Sequence, residues 1–166
     1  MKIKRHGYFW GLVALLVICL AAGLTASAAV ASAEEGIAEN EIFTSGDFQY
    51  TVAEGNATIV KYAGSADVLV VPDQLDDHVV KKIDEGAFSP GSGLTSVTLP
   101  DGLTSIGDSA FSACSGLTSV TLPDTIMFIG EGAFSAGPNL TLTVSQGSYA
   151  AEYARENGIP YTFINE

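Results

Sequence analysis

The sequence predicts an α/β repeat solenoid, in which short parallel β-strands stack in layers and both ends of the stack are capped. Three observations predict this fold class. Residues 94–116 and 117–139 are identical at 14 of 23 positions. Within each segment, a short stretch alternates apolar and hydroxyl residues, as a strand with one buried face does. The flanking sequences have the patterns of a β-hairpin and of a capped helix.

Each repeat begins with a strand and a turn. In residues 96–99 (SVTL), apolar and hydroxyl side chains alternate, and residues 100–102 (PDG) then turn the chain. Residues 106–107 lead into residues 109–111 (SAF), for which we expect a short helix or helical turn that begins at the acidic Asp108. One repeat cannot bury its own apolar side, so stacked repeats must share a core.

The core positions recur every 23 residues. They are Ile83, Ile106 and Ile129, then Phe88, Phe111 and Phe134, then Leu94, Leu117 and Leu140. Residues 66–72 form an earlier copy of the strand, separated from the next by a longer loop at residues 74–80. We therefore place repeats of about 23 residues over residues 64–145.

This pattern, L-x-x-V-x-L-P followed by I-G and A-F, resembles the BspA-like class of leucine-rich repeat. The resemblance implies a right-handed solenoid with a parallel β-sheet along one face. It also implies a bacterial extracellular or cell-surface protein that contacts other proteins.

The two ends of the repeat region predict caps. Alternating residues between 47 and 62 predict an N-terminal cap hairpin over residues 46–63, preceded by a flexible acidic leader at residues 34–45. Ser148 can cap a helix that runs to about Asn157, and residues 159–163 read as a final extended segment, so residues 146–166 form the C-terminal cap. The leucine-rich-repeat domain then covers residues 46–166.

The first 33 residues have the order of a signal peptide. Residues 1–5 carry three positive charges, residues 11–24 form an apolar run, and Ala31-Ser32-Ala33 precedes two glutamates. This order predicts export and cleavage after Ala33. The alternative is a membrane-tethered structural envelope protein, because residues 7–33 carry no charge and are long enough to span a bilayer.

The charge of the exported part excludes several partners. Beyond residue 33 the chain keeps four basic residues against all 19 acidic ones, a formal net charge of −15. A protein with so few cations cannot neutralise the phosphates of a nucleic acid or dock on an anionic membrane surface. The partner that the resemblance implies is instead a protein, in the extracellular space or the envelope.

Two groups of side chains are candidates for contact with such a partner. The first is a row of hydroxyl residues that should face outward from the sheet: Ser96, Thr98, Ser119, Thr121, Thr141 and Thr143. The second is the pair Met127 and Phe128, at the places held by Lys81-Lys82 and Thr104-Ser105 in earlier repeats. We favour packing of this pair beneath the C-terminal helix, with a partner anchor as the alternative.

Metal binding and catalysis have weaker support. Asp101 and Asp124 should stack in successive layers and are weak calcium candidates, although turn hydrogen bonding explains both residues. His78 is the only histidine beyond the signal, and no serine is placed beside it for a secreted hydrolase.

Cys114 is a lone thiol at a place where Gly91 and Gly137 stand in other repeats. We interpret it as a small structural residue, with intermolecular pairing as the alternative.

The sequence thus favours a secreted or cell-surface leucine-rich-repeat protein that is not an enzyme, needs no cofactor, and mediates protein–protein interaction or adhesion. We expect a monomer, which becomes multivalent when several copies are displayed on one surface.

Overall fold

Each 23-residue repeat folds into one turn of a parallel-strand β-solenoid. A computed structural model of the chain describes residues 41–89, 93–135 and 137–164. Residues 35–166 form a compact unit of their own. The predicted signal segment, residues 1–33, lies outside the described residues. So do residues 34–40 of the predicted leader.

The elements of the described residues follow in chain order. The strands are β1 (Phe43–Ser45), β2 (Phe48–Ala53), β3 (Asn56–Tyr62), β4 (Val68–Val70), β5 (Gln74–Leu75), β6 (His78–Ile83), β7 (Ser96–Thr98), β8 (Ser105–Ile106), β9 (Ser119–Thr121), β10 (Phe128–Ile129), β11 (Thr141–Val144) and β12 (Tyr161–Phe163). The helix is α1 (Tyr149–Glu156).

The predicted strands form a five-stranded, fully parallel sheet with the order β12-β11-β9-β7-β4. The apolar residues of these strands point inward, as the alternation predicts: Val97, Val120 and Leu142 are in register and buried. In the last repeat, the register of β11 places Leu142 at the inward position that Val120 has in β9.

A second sheet forms on the other side of each turn, and the sequence analysis did not foresee it. Its order is β1-β2-β3-β6-β8-β10, with β5 paired to β6. The strands β6, β8 and β10 are short and parallel, with Ile83, Ile106 and Ile129 in register. Each repeat therefore contributes one strand to each of the two sheets, and the core lies between them.

The N-terminal cap is larger than predicted. The hairpin of β2 and β3 is confirmed, and it pairs with the first repeat through the parallel contact of β3 with β6. However, β1 at Phe43–Ser45 pairs antiparallel with β2. The prediction of a flexible leader through residue 45 is therefore wrong for these three residues, since they complete the cap. The longer loop at residues 74–80 is itself a hairpin of β5 and the start of β6.

Residues 108–111, for which we expected a short helix or a helical turn, form hydrogen-bonded turns. Gly86, Ser109 and Gly132, at matching places, have φ of 60°, 52° and 62°. Because a left-handed residue interrupts a right-handed helix, the chain turns there instead. Asp108 therefore does not start a helix. Its carboxylate accepts a hydrogen bond of 2.8 Å from the backbone N–H of Glu131, one repeat further on.

The predicted phenylalanine column is present and is closed by a tyrosine at each end. The rings of Phe88 and Phe111 stack with centroids 4.6 Å apart, and those of Phe111 and Phe134 with centroids 5.4 Å apart. Tyr62 in the N-terminal cap lies 5.5 Å from Phe88, and Tyr153 on α1 meets Phe134 edge-on at 6.2 Å. Aromatic contact thus runs from one cap to the other.

The C-terminal cap agrees with the sequence in detail. Ser148 is the N-cap of α1, and its hydroxyl accepts a hydrogen bond from the N–H of Ala151. The helix buries Ala150, Ala151 and Ala154. After the helix, β12 adds to the sheet parallel to β11.

Successive turns approach so closely at one glycine position that no side chain fits. A Cβ on Gly107 would lie 2.6 Å from the backbone nitrogen of Glu85 in the preceding repeat. A Cβ on Gly130 would lie 2.5 Å from the nitrogen of Asp108. The I-G motif of the repeat is therefore a packing requirement between layers.

Gly107→Ala should lower the free energy of unfolding by about 1–3 kcal/mol, the usual cost of overpacking, because the layers would have to separate. Denaturant unfolding of residues 35–166 measures it. The matched control is Gly102→Ala, since a Cβ there would meet nothing closer than 3.5 Å. That variant should stay within about 0.5 kcal/mol of the native chain. Equal stability of both variants would contradict the close approach.

Candidate functional site

The outward face of the five-stranded sheet carries the predicted hydroxyl residues in two straight rows. Strand register aligns Ser96, Ser119 and Thr141 in one row and Thr98, Thr121 and Thr143 in the other. Their side chains are exposed or half-buried. The structure thus brings together all six residues on one face, as predicted, and their role in partner binding stays a prediction.

Two valines extend these rows at the N-terminal edge of the sheet, and the sequence analysis missed them. Val68 is in register with Ser96, and Val70 is in register with Thr98. Their exposed fractions are 68% and 69%. The alternation of Val68 and Val70 with the buried Leu69 was the signal that could have found them.

Met127 and Phe128 are exposed, and our expectation that the C-terminal helix covers them is wrong. Their exposed fractions are 71% and 52%. Tyr153 on α1 packs instead on Phe134, and its hydroxyl donates to the carbonyl of Gly130 at 3.4 Å. The helix therefore covers the segment that follows the pair and leaves the pair itself in solvent.

The pair ends a column that is otherwise polar. Phe128 is in register with Ser105 and Lys82 on the outer side of the second sheet. The N–H of Met127 donates to the carbonyl of Thr104 at 2.9 Å, which places Met127 beside the preceding repeat. The change from lysine and hydroxyl residues to Met-Phe thus creates an apolar patch on β10, the last strand of the second sheet.

The calcium candidates Asp101 and Asp124 are both exposed at the turn after their strands. The hydroxyl of Thr125 donates to the backbone carbonyl of Asp101 at 2.7 Å, which joins the turns of two successive repeats. Across the described residues, no group of three or more His, Cys, Asp or Glu side chains is arranged to hold a metal ion.

His78 lies at the start of β6, next to the N-terminal cap and beside a small polar network around Asp76. Its Nδ1 lies 3.2 Å from the carbonyl oxygen of Gly55. The nearby carboxylate of Asp76 accepts hydrogen bonds of 2.9 Å from the hydroxyls of Ser45 and Tyr50, and not from His78. Nucleophilic catalysis needs a serine held against the histidine, and these contacts show a different arrangement.

The same network ties β1 and β2 to the hairpin at residues 74–80. Asp76 and Asp77 have φ of 45° and 71°, as the central residues of a two-residue hairpin turn require. Tyr50 is 1% exposed. Burial, together with the hydrogen bond to Asp76 and its negative charge, raises the pKa of Tyr50 to about 12. The network is a structural part of the cap.

Cys114 is buried, which agrees with our interpretation of a small structural residue. It is 1% exposed, and its thiol donates to the carbonyl of Phe88 at 3.4 Å. Burial raises the pKa of the Cys114 thiol to about 11. A buried thiol with so little thiolate is a poor candidate for intermolecular pairing.

The described part of the chain contains no helix that is both long and apolar enough to cross a membrane. The predicted uncleaved anchor at residues 7–33 lies outside that part.

Comparison with known proteins identifies the repeat. Residues 75–151 match the family model of the BspA-type leucine-rich repeat region, in six copies. Residues 75–151 therefore carry BspA-type leucine-rich repeats. The resemblance inferred from the motifs is thereby confirmed. No curated protein matches the chain significantly.

Two solved structures are similar to this leucine-rich-repeat chain. One is a leucine-rich cell surface protein of Faecalibacterium prausnitzii, with 27% identity, a TM-score of 0.55, and coverage of 65% of this chain. The match spans only 38% of that protein's length. The other is a leucine-rich repeat protein of Bacteroides capillosus, with 27% identity, a TM-score of 0.59, and coverage of 64% of this chain and 84% of that one.

The raised pKa of Tyr50 makes the stability of the N-terminal cap depend on alkaline pH. In the unfolded chain a tyrosine ionises near pH 10, whereas Tyr50 keeps its proton to about pH 12 in the folded state. Protonated Tyr50 therefore adds to the free energy of unfolding. This contribution is fully present below about pH 10 and is lost as the pH rises towards 12, because the unfolded chain then gives up the proton more readily than the folded one. Denaturant unfolding between pH 9 and 12 should show a smaller decline for Tyr50→Phe than for the native chain. Tyr161→Phe, a more exposed control, should decline like the native chain.

Proposed function

We propose that this chain is a non-catalytic protein-contact module that works outside the bacterial cell, as a secreted or cell-surface protein. The observation that carries the proposal is the exposed pair Met127 and Phe128, which interrupts a polar column with two large apolar side chains. Methionine and aromatic residues are enriched where proteins meet. Removing them from water against a partner would stabilise a complex.

The size of the sheet face supports a contact that extends beyond the hydroxyl rows. Five strands spaced by about 4.8 Å, each with three residues of about 3.3 Å, present roughly 250 Å². A standard interface buries about 800 Å² on each partner. The hydroxyl rows alone are therefore too small for tight binding, so Val68 and Val70 or several displayed copies must contribute to a contact on this face.

Location outside the cell is supported by two separate observations. The order of the first 33 residues is typical of a signal peptide. A structural relative, from Faecalibacterium prausnitzii, is a cell surface protein. Adhesion to a host or envelope protein is the role that such a location and such a contact surface favour.

N-terminal sequencing of the product isolated from the producing bacterium tests export. We expect a start at Glu34, in the medium or in the envelope fraction, because cleavage after Ala33 leaves that residue first. A product that keeps residues 1–33 and partitions with membranes would favour the tethered envelope protein instead.

The double substitution Met127→Asp/Phe128→Asp tests the contact. Immobilised residues 35–166 are used to capture partners from host extracellular matrix and from the producer's envelope. Each captured partner is then purified, and calorimetry measures whether it binds residues 35–166 directly. We expect the double variant to bind a true partner at least about tenfold more weakly, because two apolar anchors are replaced by charges.

Ile42→Asp is the matched control, since Ile42 is 59% exposed and distant in sequence from the pair. It should retain binding, and all variants should keep the native unfolding midpoint. Loss of binding in Thr98→Asp/Thr121→Asp alone would move the contact to the hydroxyl rows. Absence of any partner that binds directly would overturn the proposed function.

A further inference from the structure

The last strand of the five-stranded sheet, β12, lies at an open edge. Among the described residues it pairs with β11 alone. All three of its residues are exposed, including Tyr161 and Phe163. It is therefore an edge strand with one side free for pairing.

The backbone of β12 defines what that free side can bind. The N–H of Leu142 donates to the carbonyl of Pro160 at 2.8 Å. The N–H of Ile164 donates to the carbonyl of Val144 in β11 at 2.9 Å. Backbone groups of successive residues in a strand point alternately to opposite sides. The N–H and C=O groups of Tyr161 and Phe163 therefore point away from β11. Such a row of donors and acceptors is complementary to another extended chain.

The side chains of β12 add a cleft beside this edge. Tyr161 is in register with the buried Leu142, and Phe163 is in register with the buried Val144, so both rings lie on the core side of the sheet. No further layer covers them among the described residues, and they remain 36% and 46% exposed. They line a cleft of about 300 Å³ together with α1 and the turn before it.

This edge lacks the protection that edge strands usually have. Charged residues within a strand commonly guard an open edge. The strand β12 contains no charged residue. Pro160, which precedes it, lacks an N–H on the β11 side and so leaves the open side unaffected.

We propose that β12 accepts an extended, basic segment of another protein as a sixth strand of this sheet. Backbone hydrogen bonds to Tyr161 and Phe163 would hold the segment, and apolar side chains at alternate positions would enter the cleft. The segment is basic because this chain carries a formal net charge of −12, which attracts a positively charged partner. A second copy of this chain carries the same negative charge and is disfavoured.

The test uses ¹⁵N-labelled residues 35–166 and a short synthetic peptide in which lysine and valine alternate. We expect chemical-shift changes and slowed amide exchange at Tyr161 and Phe163 when the peptide is added. A peptide in which glutamate replaces lysine should bind at least about tenfold more weakly, because it is repelled by the acidic chain.

A pair of substitutions at one position separates backbone pairing from side-chain contact. Phe163→Pro removes the outward N–H and no hydrogen bond to β11, so it should weaken peptide binding about tenfold. Phe163→Val retains the N–H and should retain the slowed exchange at residue 163. Retention of the hydrogen bond from Ile164 to Val144, read from its amide exchange, shows that β12 is intact in both variants.

Three results would overturn the proposal: no change at β12, equal binding of the acidic peptide, or native binding by Phe163→Pro. A concentration-dependent dimer that protects Tyr161 and Phe163 without peptide would replace the basic partner by a second copy. This edge belongs to a different sheet from the Met127–Phe128 pair, so the failure of either test leaves the other proposal standing.

Discussion

The contact of each turn of the solenoid with the turn before it is the constraint on which the rest of this structure depends. Strands of neighbouring turns are hydrogen-bonded, as between the N–H of Gly107 and the carbonyl of Ile83 at 2.8 Å. That spacing of about 4.8 Å leaves no room for a side chain where Gly107 and Gly130 meet the preceding turn. It also forces inward residues to stack on their own counterparts, so the isoleucine and phenylalanine columns follow from the layer geometry. Apart from Tyr50, Tyr62 and Cys114, the buried side chains of the described residues carry no polar group, and each turn is stabilised mainly by its neighbours.

A stack held together in this way is most vulnerable at its ends, where a turn has a neighbour on one side only. At the N-terminal end, three antiparallel strands and the network around Asp76 cover the first turn. At the C-terminal end, α1 covers the last phenylalanine through Tyr153. Both ends of the phenylalanine column meet a tyrosine, whose apolar ring packs on phenylalanine while its hydroxyl reaches polar groups or solvent. The surface that α1 leaves uncovered, at Met127–Phe128 and at β12, is where we place contacts with other molecules.

Outward positions escape the stacking constraint, and for that reason they can carry function. The column Lys82, Ser105 and Phe128 changes from charged to polar to aromatic over three turns, while the inward neighbours Ile83, Ile106 and Ile129 do not change. The sheet face behaves in the same way, with valines at one edge and hydroxyl residues in the middle. In such a fold, protein contact is therefore expected at positions where one repeat differs from the others, rather than at the motif residues that recur in every repeat.

The sequence by itself determined the period, the inward and outward faces, the phenylalanine column, and both caps, because stacking imposes its pattern on every repeat and local capping residues such as Ser148 act on their own helix. Only the tertiary structure decided the second sheet, the pairing of β1, and the left-handed turn at Ser109. Two-residue strands such as β8 have too little alternation to be recognised, and a turn's handedness depends on the layers around it. The exposure of Met127 and Phe128 was also decided in three dimensions, since it depends on where α1 docks, and that docking follows from Gly130 and Phe134 of the last repeat.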